Sequence, residues 1–257
     1  MSEAAFVIGN TSVNWYGILI GTGVLAAIGV AVIEARRRGE STTHLMNIAI
    51  VVIPSGVIGA RLYHVIDKWG YYLQNPGEII GGSGLGIFGA IIGGALGLLL
   101  YTGWKKLNTL RWLDILAPGL ILAQAIGRWG NYINQELYGY PTTLPWGIYI
   151  DTAHRLSGYE SFSHFHPLFL YESLWNLLGF AVLMFAGRKY YTRLHDGGIF
   201  LLYVIHYGFG RFILEGMKID VWTLGGVPTA RWITGLAILA AATVFIIRHY
   251  RRYKEVK

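Results

Sequence analysis

The 257-residue chain contains no cysteine. That excludes a disulfide framework, a thiolate nucleophile, an iron–sulfur cluster and any cysteine-type zinc site. Charge is also scarce, with only 14% of residues Asp, Glu, Lys or Arg, against ~25% in an average soluble protein. Too few polar side chains remain to cover the apolar surface of a soluble fold. No segment is rich enough in proline or serine to read as a disordered tail. No lysine or arginine precedes the first apolar run, so a cleaved signal peptide with a charged leading region is not expected.

What is present points to lipid as the solvent. Hydrophobic residues make up 54%, glycine adds 35 residues, and the mean hydropathy is +0.45. A membrane-crossing helix needs ~20 mostly apolar residues. Seven stretches meet that length: about 15–34, 44–66, 85–101, 110–127, 167–187, 197–216 and 230–248. The third and fourth are short, which leaves counts of six or eight open. The expected fold class is an all-α integral membrane protein, one membrane domain over residues 1–257. A small extracytoplasmic head is expected at about 128–166, between spans four and five. That insertion is too long for an ordinary connection, rich in aromatics and poor in lysine and serine.

The net charge of +7 follows topology and gives no reason to invoke nucleic acid. Alternate connections hold Arg36, Arg37 and Arg38, then Lys105, Lys106 and Arg111, then Arg188, Lys189 and Arg193. The C-terminal tail adds Arg248, Arg251, Arg252, Lys254 and Lys257. Basic residues mark the cytoplasmic side, so the N-terminus is expected outside and the C-terminus inside.

The polar residues within or next to the spans collect toward the outer ends. They are Tyr16, Arg61, His64, Arg128, Asn131, Glu136, His166, Tyr171, Glu172, Arg211 and Glu215, and the cytoplasmic halves hold almost nothing ionisable. Ionisable groups at membrane depth cost energy and imply partners or a function. A helix pair such as Arg211 with Glu215 is the bland explanation for any one of them. For the whole one-sided set, chemistry on a lipid headgroup fits better than a conduction path. A transporter or flippase for an anionic lipid or solute is the alternative, and a non-catalytic lipid-binding scaffold the weaker third.

The densest run is Gly127-Arg128-Trp129-Gly130-Asn131-Tyr132-Ile133-Asn134-Gln135-Glu136-Leu137-Tyr138-Gly139. Its glycines are expected to let the backbone leave the helix and approach a ligand. Arg128 offers a planar fork suited to phosphate, and Asn131 neutral donors and acceptors. Glu136 is placed to orient the arginine or a substrate hydroxyl. On a helix Tyr207, Arg211, Glu215 and Lys218 would share one face. Gly81-Gly82-Ser83-Gly84-Leu85-Gly86 lacks the Lys-Ser/Thr of a phosphate loop. The eight histidines show no zinc spacing, so neither metal nor cofactor is expected.

Arg128 to Gly139 resembles the Gly-Arg-x-Gly-Asn-Phe-x-Asn-x-Glu-x-x-Gly stretch of bacterial prolipoprotein diacylglyceryl transferases. Trp15-Tyr16-Gly17, His166-Pro167-Leu168-Phe169-Leu170-Tyr171-Glu172 and Arg211-Phe212-Ile213-Leu214-Glu215 follow in the family's order. The resemblance covers essentially the whole chain. It implies a seven-helix enzyme of the bacterial cytoplasmic membrane with its active site toward the outer leaflet. The implied reaction moves the diacylglyceryl group of phosphatidylglycerol to the lipobox cysteine of a preprolipoprotein. A thioether forms and glycerol 1-phosphate leaves.

The family's essential positions fall on Tyr16, Arg128, Asn131, Glu136, Gly139, Arg211 and Glu215. Arg128, Arg211, Glu136, Glu215, Asn131 and Tyr16 are therefore expected to be catalytic. Arg128, Asn131, Gly139, Arg211, Arg61, His64, His166 and Lys218 are expected to contact substrate. Two departures stand out. Phe88 occupies a place where many members have His or Tyr, so no base can sit there, and Lys218 stands where arginine is frequent. His64, His166 or a carboxylate remain open as acceptors of the thiol proton.

Overall fold

The computed structural model describes residues 4–9, 11–81 and 84–255. Gly82 and Ser83 of the glycine-rich run, and Lys257 of the basic tail, lie outside the described residues. Among the described residues seven helices are long and apolar enough to cross a membrane, and the protein is an all-α integral membrane protein. They are α1 (Trp15–Arg37), α2 (Thr42–Asp67), α5 (Ile87–Trp104), α6 (Thr109–Ile133), α7 (Leu168–Lys189), α8 (Gly198–Leu214) and α9 (Thr229–Glu255). Two short helices, α3 (Trp69–Gln74) and α4 (Glu78–Gly81), lie between α2 and α5. The described residues also form three two-stranded antiparallel pairs, Ala4–Ile8 with Thr11–Asn14, Ile148–Tyr149 with His164–Phe165, and Thr223–Leu224 with Val227–Pro228, and two 3-10 turns, Thr152–His154 and Glu215–Met217.

The chain forms two compact units, Met1–Ala31 with Leu113–Lys257, and Val32–Trp112. The second unit is built on glycine. A Cβ on Gly59 would lie 3.0 Å from the Gly93 Cα and closer still to the Gly89 carbonyl, and Gly93 meets the Ser55 carbonyl. With no side chains between them the α2 and α5 backbones touch, and close packing of this kind drives helix association in lipid. Arg61 donates to the carbonyls of Ile79 (2.8 Å), Gly84 (2.9 Å) and Glu78. It thereby fastens the loop between α4 and α5 onto α2. His64 lies beside the same loop, where its ring fills the space at Gly84.

In the first unit α6 is the central strut. Gly23 and Gly119 allow α1 to meet it closely, at Ala123 and Ala27 respectively. Ala117 and Ile121 of α6 pack into a core with Leu183 and Ala186 of α7 and Ile199 and Tyr203 of α8. Asp114, 2% exposed, accepts the backbone N–H groups of Gly197 and Phe200, each at 2.9 Å. A carboxylate on the free amides of a helix N-terminus is strongly favoured, and this one fixes the start of α8 on α6. In the second unit Glu34, 1% exposed, holds Arg37 at 2.7 Å. These two carboxylates correct the expectation that the spans hold almost nothing ionisable away from the polar set. Both are buried because each is fully engaged.

A second correction concerns the end of α6. The sequence places Arg128 and Asn131 beyond span four, with glycines releasing the backbone. Instead the helix continues to Ile133, so Gly127, Arg128, Gly130 and Asn131 are all helical. The glycines serve close approach, since the Tyr16 ring occupies the space where a Gly130 side chain would stand. The chain reverses later, at Gln135 and Leu137, which have φ of 51° and 55°. The Gln135 amide and Asp151 hold that turn reciprocally: Gln135 Nε2 donates to the carboxylate at 2.8 Å and its Oε1 accepts the Asp151 N–H at 2.7 Å.

Replacing Gly89 by alanine should drive a methyl group into the α2 backbone and destabilise the protein by about 1–3 kcal/mol. Gly29→Ala, on an open face of α1, should be neutral or stabilising by up to ~1 kcal/mol. Thermal unfolding of the two variants in detergent compares them directly.

Candidate active site

The site is assembled at the C-terminal ends of α6 and α8 and the N-terminal end of α7. Two clasps set the register. Between α6 and α7, Trp129 Nε1 donates to Ser173 Oγ (3.2 Å), Ser173 donates to the Ala125 carbonyl (2.9 Å), and Tyr132 stacks on Phe169 with centroids 4.6 Å apart. Between α7 and α8, Trp175 and His206 stack at 4.4 Å and 10°. Trp175 Nε1 donates to the His206 carbonyl and His206 Nε2 to the Trp175 carbonyl, both at 2.9 Å. Gly179 and Gly210 leave room for the two rings.

With that register fixed, Glu172 becomes a hub. Its Oε2 lies 2.5 Å from Arg128 Nε, and its Oε1 lies 3.4 Å from Arg211 Nη1 and 3.6 Å from Lys218 Nζ. Glu215, one turn beyond Arg211, reaches Arg211 Nη2 at 2.8 Å and Lys218 Nζ at 3.6 Å. Three cations therefore face two carboxylates, leaving one positive charge uncompensated within this group. Both glutamates are buried, at 9% and 6% side-chain exposure, while Arg128 and Arg211 keep 21% and 24%. The arginines are thus gripped from behind and open in front.

Arg128 also donates to Asn131 Oδ1 at 3.3 Å, and Asn131 donates to Glu136 Oε1 at 2.9 Å. Glu136 reaches Arg128 only through Asn131, so the carboxylate that grips Arg128 is Glu172. Glu172 was quoted in the sequence motif without a role; its position at membrane depth was the signal that it had one. Lys218 lies just past the sixth span and is nearly buried, at 8% side-chain exposure. Burial pulls its ammonium below the ordinary lysine range, with Glu172 opposing that shift.

Gly139 is where the backbone approach demands glycine. A Cβ there would lie 2.9 Å from both the His166 Cβ and the Met217 carbonyl oxygen. The strand-like contact of Gly139 with Lys218, with the Tyr140 N–H donated to Met217 (3.1 Å), ties the 139–140 segment to the end of α8. His166 pairs its Nδ1 with the Tyr171 hydroxyl at 3.2 Å, and that hydroxyl accepts from Trp146 Nε1 at 2.8 Å. The Tyr171 hydroxyl can donate to Nδ1 or accept from it, according to the histidine tautomer. Tyr16 packs over Gly130, beside Asn131, and is 39% exposed. Tyr207 of the expected α8 face stacks on Tyr203, with centroids 5.9 Å apart. Arg61 and His64 belong to the Val32–Trp112 unit, with the contacts given above.

The family profile described as prolipoprotein diacylglyceryl transferase matches residues 3–247. The chain belongs to that family. Similar proteins include one of Listeria innocua serovar 6a, 39% identical over 99% of this chain and 91% of its own. One of Streptococcus agalactiae serotype Ia is 37% identical over 99% and 98%, and one of Streptococcus mutans serotype c is 36% identical over 96% and 95%. All three are named phosphatidylglycerol–prolipoprotein diacylglyceryl transferase.

Breaking the hub should be costly for stability. Glu172→Gln leaves Arg128, Arg211 and Lys218 facing one another with one carboxylate fewer, a loss of roughly 3–5 kcal/mol for a buried pair. Glu136→Gln, which can still accept from Asn131, should fall within about 1 kcal/mol of the parent. Unfolding midpoints of both variants under one detergent condition test the ranking.

Proposed function

We propose that this protein transfers the diacylglyceryl group of phosphatidylglycerol to the lipobox cysteine of a preprolipoprotein signal peptide. The observation that carries the reading is the cationic cluster of Arg128, Arg211 and Lys218, braced by Glu172 and Glu215, in a chain of this family. Its surplus positive charge suits a phosphodiester. The acceptor sulfur attacks the glycerol carbon that bears the phosphate. The C–S bond forms as the C–O bond breaks, and the electron pair leaves on the phosphate oxygen of glycerol 1-phosphate. Negative charge grows on that phosphate in the transition state, where preorganised arginines act most strongly. The thiol proton goes to a base; His64, His166 and a carboxylate remain the candidates.

Around this centre Asn131 and Tyr16 position the headgroup, and Glu136 orients Asn131. Gly139 keeps the 139–140 backbone close enough for Lys218 to join the cluster. Arg61 and His64, on α2 of the Val32–Trp112 unit, remain candidate substrate contacts. We place the enzyme in the bacterial cytoplasmic membrane with the N-terminus outside, the C-terminus inside and the site toward the outer leaflet. Basic residues crowding the alternate connections support that orientation. In this orientation the segment between α6 and α7 is an external head, consistent with its own small core of Tyr138, Ile150 and Phe165.

Purified protein given phosphatidylglycerol and a lipobox peptide should add a diacylglyceryl mass to the cysteine peptide alone and release glycerol phosphate. No adduct, with the lipid intact, would favour lipid or solute transport instead. Arg128→Ala should lower kcat about 10²–10³-fold, the usual cost of losing a donor to transition-state charge. Near-normal turnover in that variant would remove the clamp. As pH rises, a lysine pulled downward by burial loses its charge earlier than an ordinary one. The alkaline limb of the activity profile should therefore move upward in Lys218→Arg, whose guanidinium stays charged. An unmoved limb would mean that Lys218 does not set it.

A further inference from the structure

Immediately to the interior side of the Arg128–Glu172 pair, α6 and α7 carry two amides that the cluster does not use. Three contacts fix how these helices face each other: Arg128 with Glu172, the Ala125 carbonyl with Ser173, and Ile121 with Gly179. The helices run antiparallel, and residue 124 falls opposite residue 176. Gln124 donates its Nε2 to the Tyr203 hydroxyl at 2.9 Å, while its Oε1 is buried with no partner among the described residues. Asn176, opposite it in this register, is 2% exposed. Buried polar groups are ordinarily paired, and inside a membrane span an unpaired one marks a site more often than a defect.

We infer that Gln124 and Asn176 form a subsite for the ester carbonyls of the donor lipid, one helical turn deeper than its phosphate. This rests on the transferase reading above. Four residues of helix place the amides ~6 Å further into the span than Arg128. In a phosphatidyl lipid one ester hangs from the glycerol carbon next to the one that bears the phosphate, and the other from the carbon beyond it. A lipid whose phosphate meets the arginines therefore presents its esters at this level. An ester carbonyl only accepts hydrogen bonds, and the Asn176 amide donates. Gln124 can do the same, because a tyrosine hydroxyl both donates and accepts. Turning its amide over keeps the bond to Tyr203 and presents the NH₂ group.

The reaction itself calls for such a contact. Once the C–O bond breaks, a clamp on phosphate no longer holds the diacylglyceryl group. Hydrogen bonds to the esters keep the reacting carbon in line with sulfur while the headgroup leaves.

The test compares phosphatidylglycerol with its diether analogue of equal chain length, which lacks both carbonyls, using the full-length protein and a lipobox peptide. The parent protein should show a KM about tenfold higher for the diether, the loss of one good hydrogen bond. Asn176→Leu should raise KM for the diester by a similar factor and leave the diether value unchanged. Gln124→Met provides the same comparison where Asn176→Leu fails to fold. Equal KM for the two lipids in the parent protein would overturn the inference. So would a variant that weakens both lipids alike, since the amides would then only join helices. Absence of transfer from the diester by the parent protein would instead overturn the transferase reading.

Discussion

Everything at the candidate site depends on keeping one carboxylate charged and nearly dry among three cations. Glu172 binds Arg128, Arg211 and Lys218 at once, so the ends of α6, α7 and α8 cannot separate without exposing an unpaired charge to an apolar surrounding. Removing ions from water is expensive, and the pairing offsets that cost only while the geometry holds. Much of the first unit can be read as the apparatus that holds it. Asp114 seats the start of α8 on α6, the Trp175–His206 clasp locks α8 to α7, and Ser173 with Trp129 locks α7 to α6.

The direction of that bracing matters for chemistry. Glu172 and Glu215 approach the arginines from the buried side, whereas Arg128 and Arg211 retain about a fifth of their surface. A guanidinium held through one edge keeps its remaining N–H groups aimed in a fixed direction. That is preorganisation, since the donors need not reorient when charge develops on a phosphate. The same rigidity explains the need for glycine at 139, where two chain segments and the His166 side chain converge too closely for a methyl group.

The spans were legible in the sequence because hydropathy records the demand of lipid for apolar surface. The helices run furthest beyond the expected stretches at α6, which continues to Ile133, and at α9, which continues to Glu255. The α6 extension has a physical origin. Gly127, Gly130 and Asn131 read locally as helix breakers, but Tyr16 packed on Gly130 and the Asn131–Glu136 bond reward the helical conformation. The convergence of Arg128, Arg211, Glu215 and Lys218 was also foreseeable, because spacing and depth put them at one level. The partner of Arg128 was not. Glu136 lies close in sequence and Glu172 distant, and no local pattern reveals which helix end α7 presents to α6. Asp114, Gln124 and Asn176 were passed over for a related reason, since a single polar residue in an apolar run has meaning only once its neighbours are known.

These polar residues divide by whether the fold satisfies them. Asp114 receives two backbone amides and Ser173 links two partners, so both are accounted for by packing. The Gln124 carbonyl is buried between the same helices with no partner among the described residues, and Asn176 is buried opposite it. Helix association alone would favour small apolar residues there, because an unsatisfied amide weakens the contact it interrupts. An amide left without a partner one turn below a phosphate clamp costs stability in the empty protein, and a ligand that engages it offsets that cost. In a transferase whose donor splits during the reaction, that arrangement divides the labour. The arginines hold the part that leaves, and the amides hold the part that is transferred.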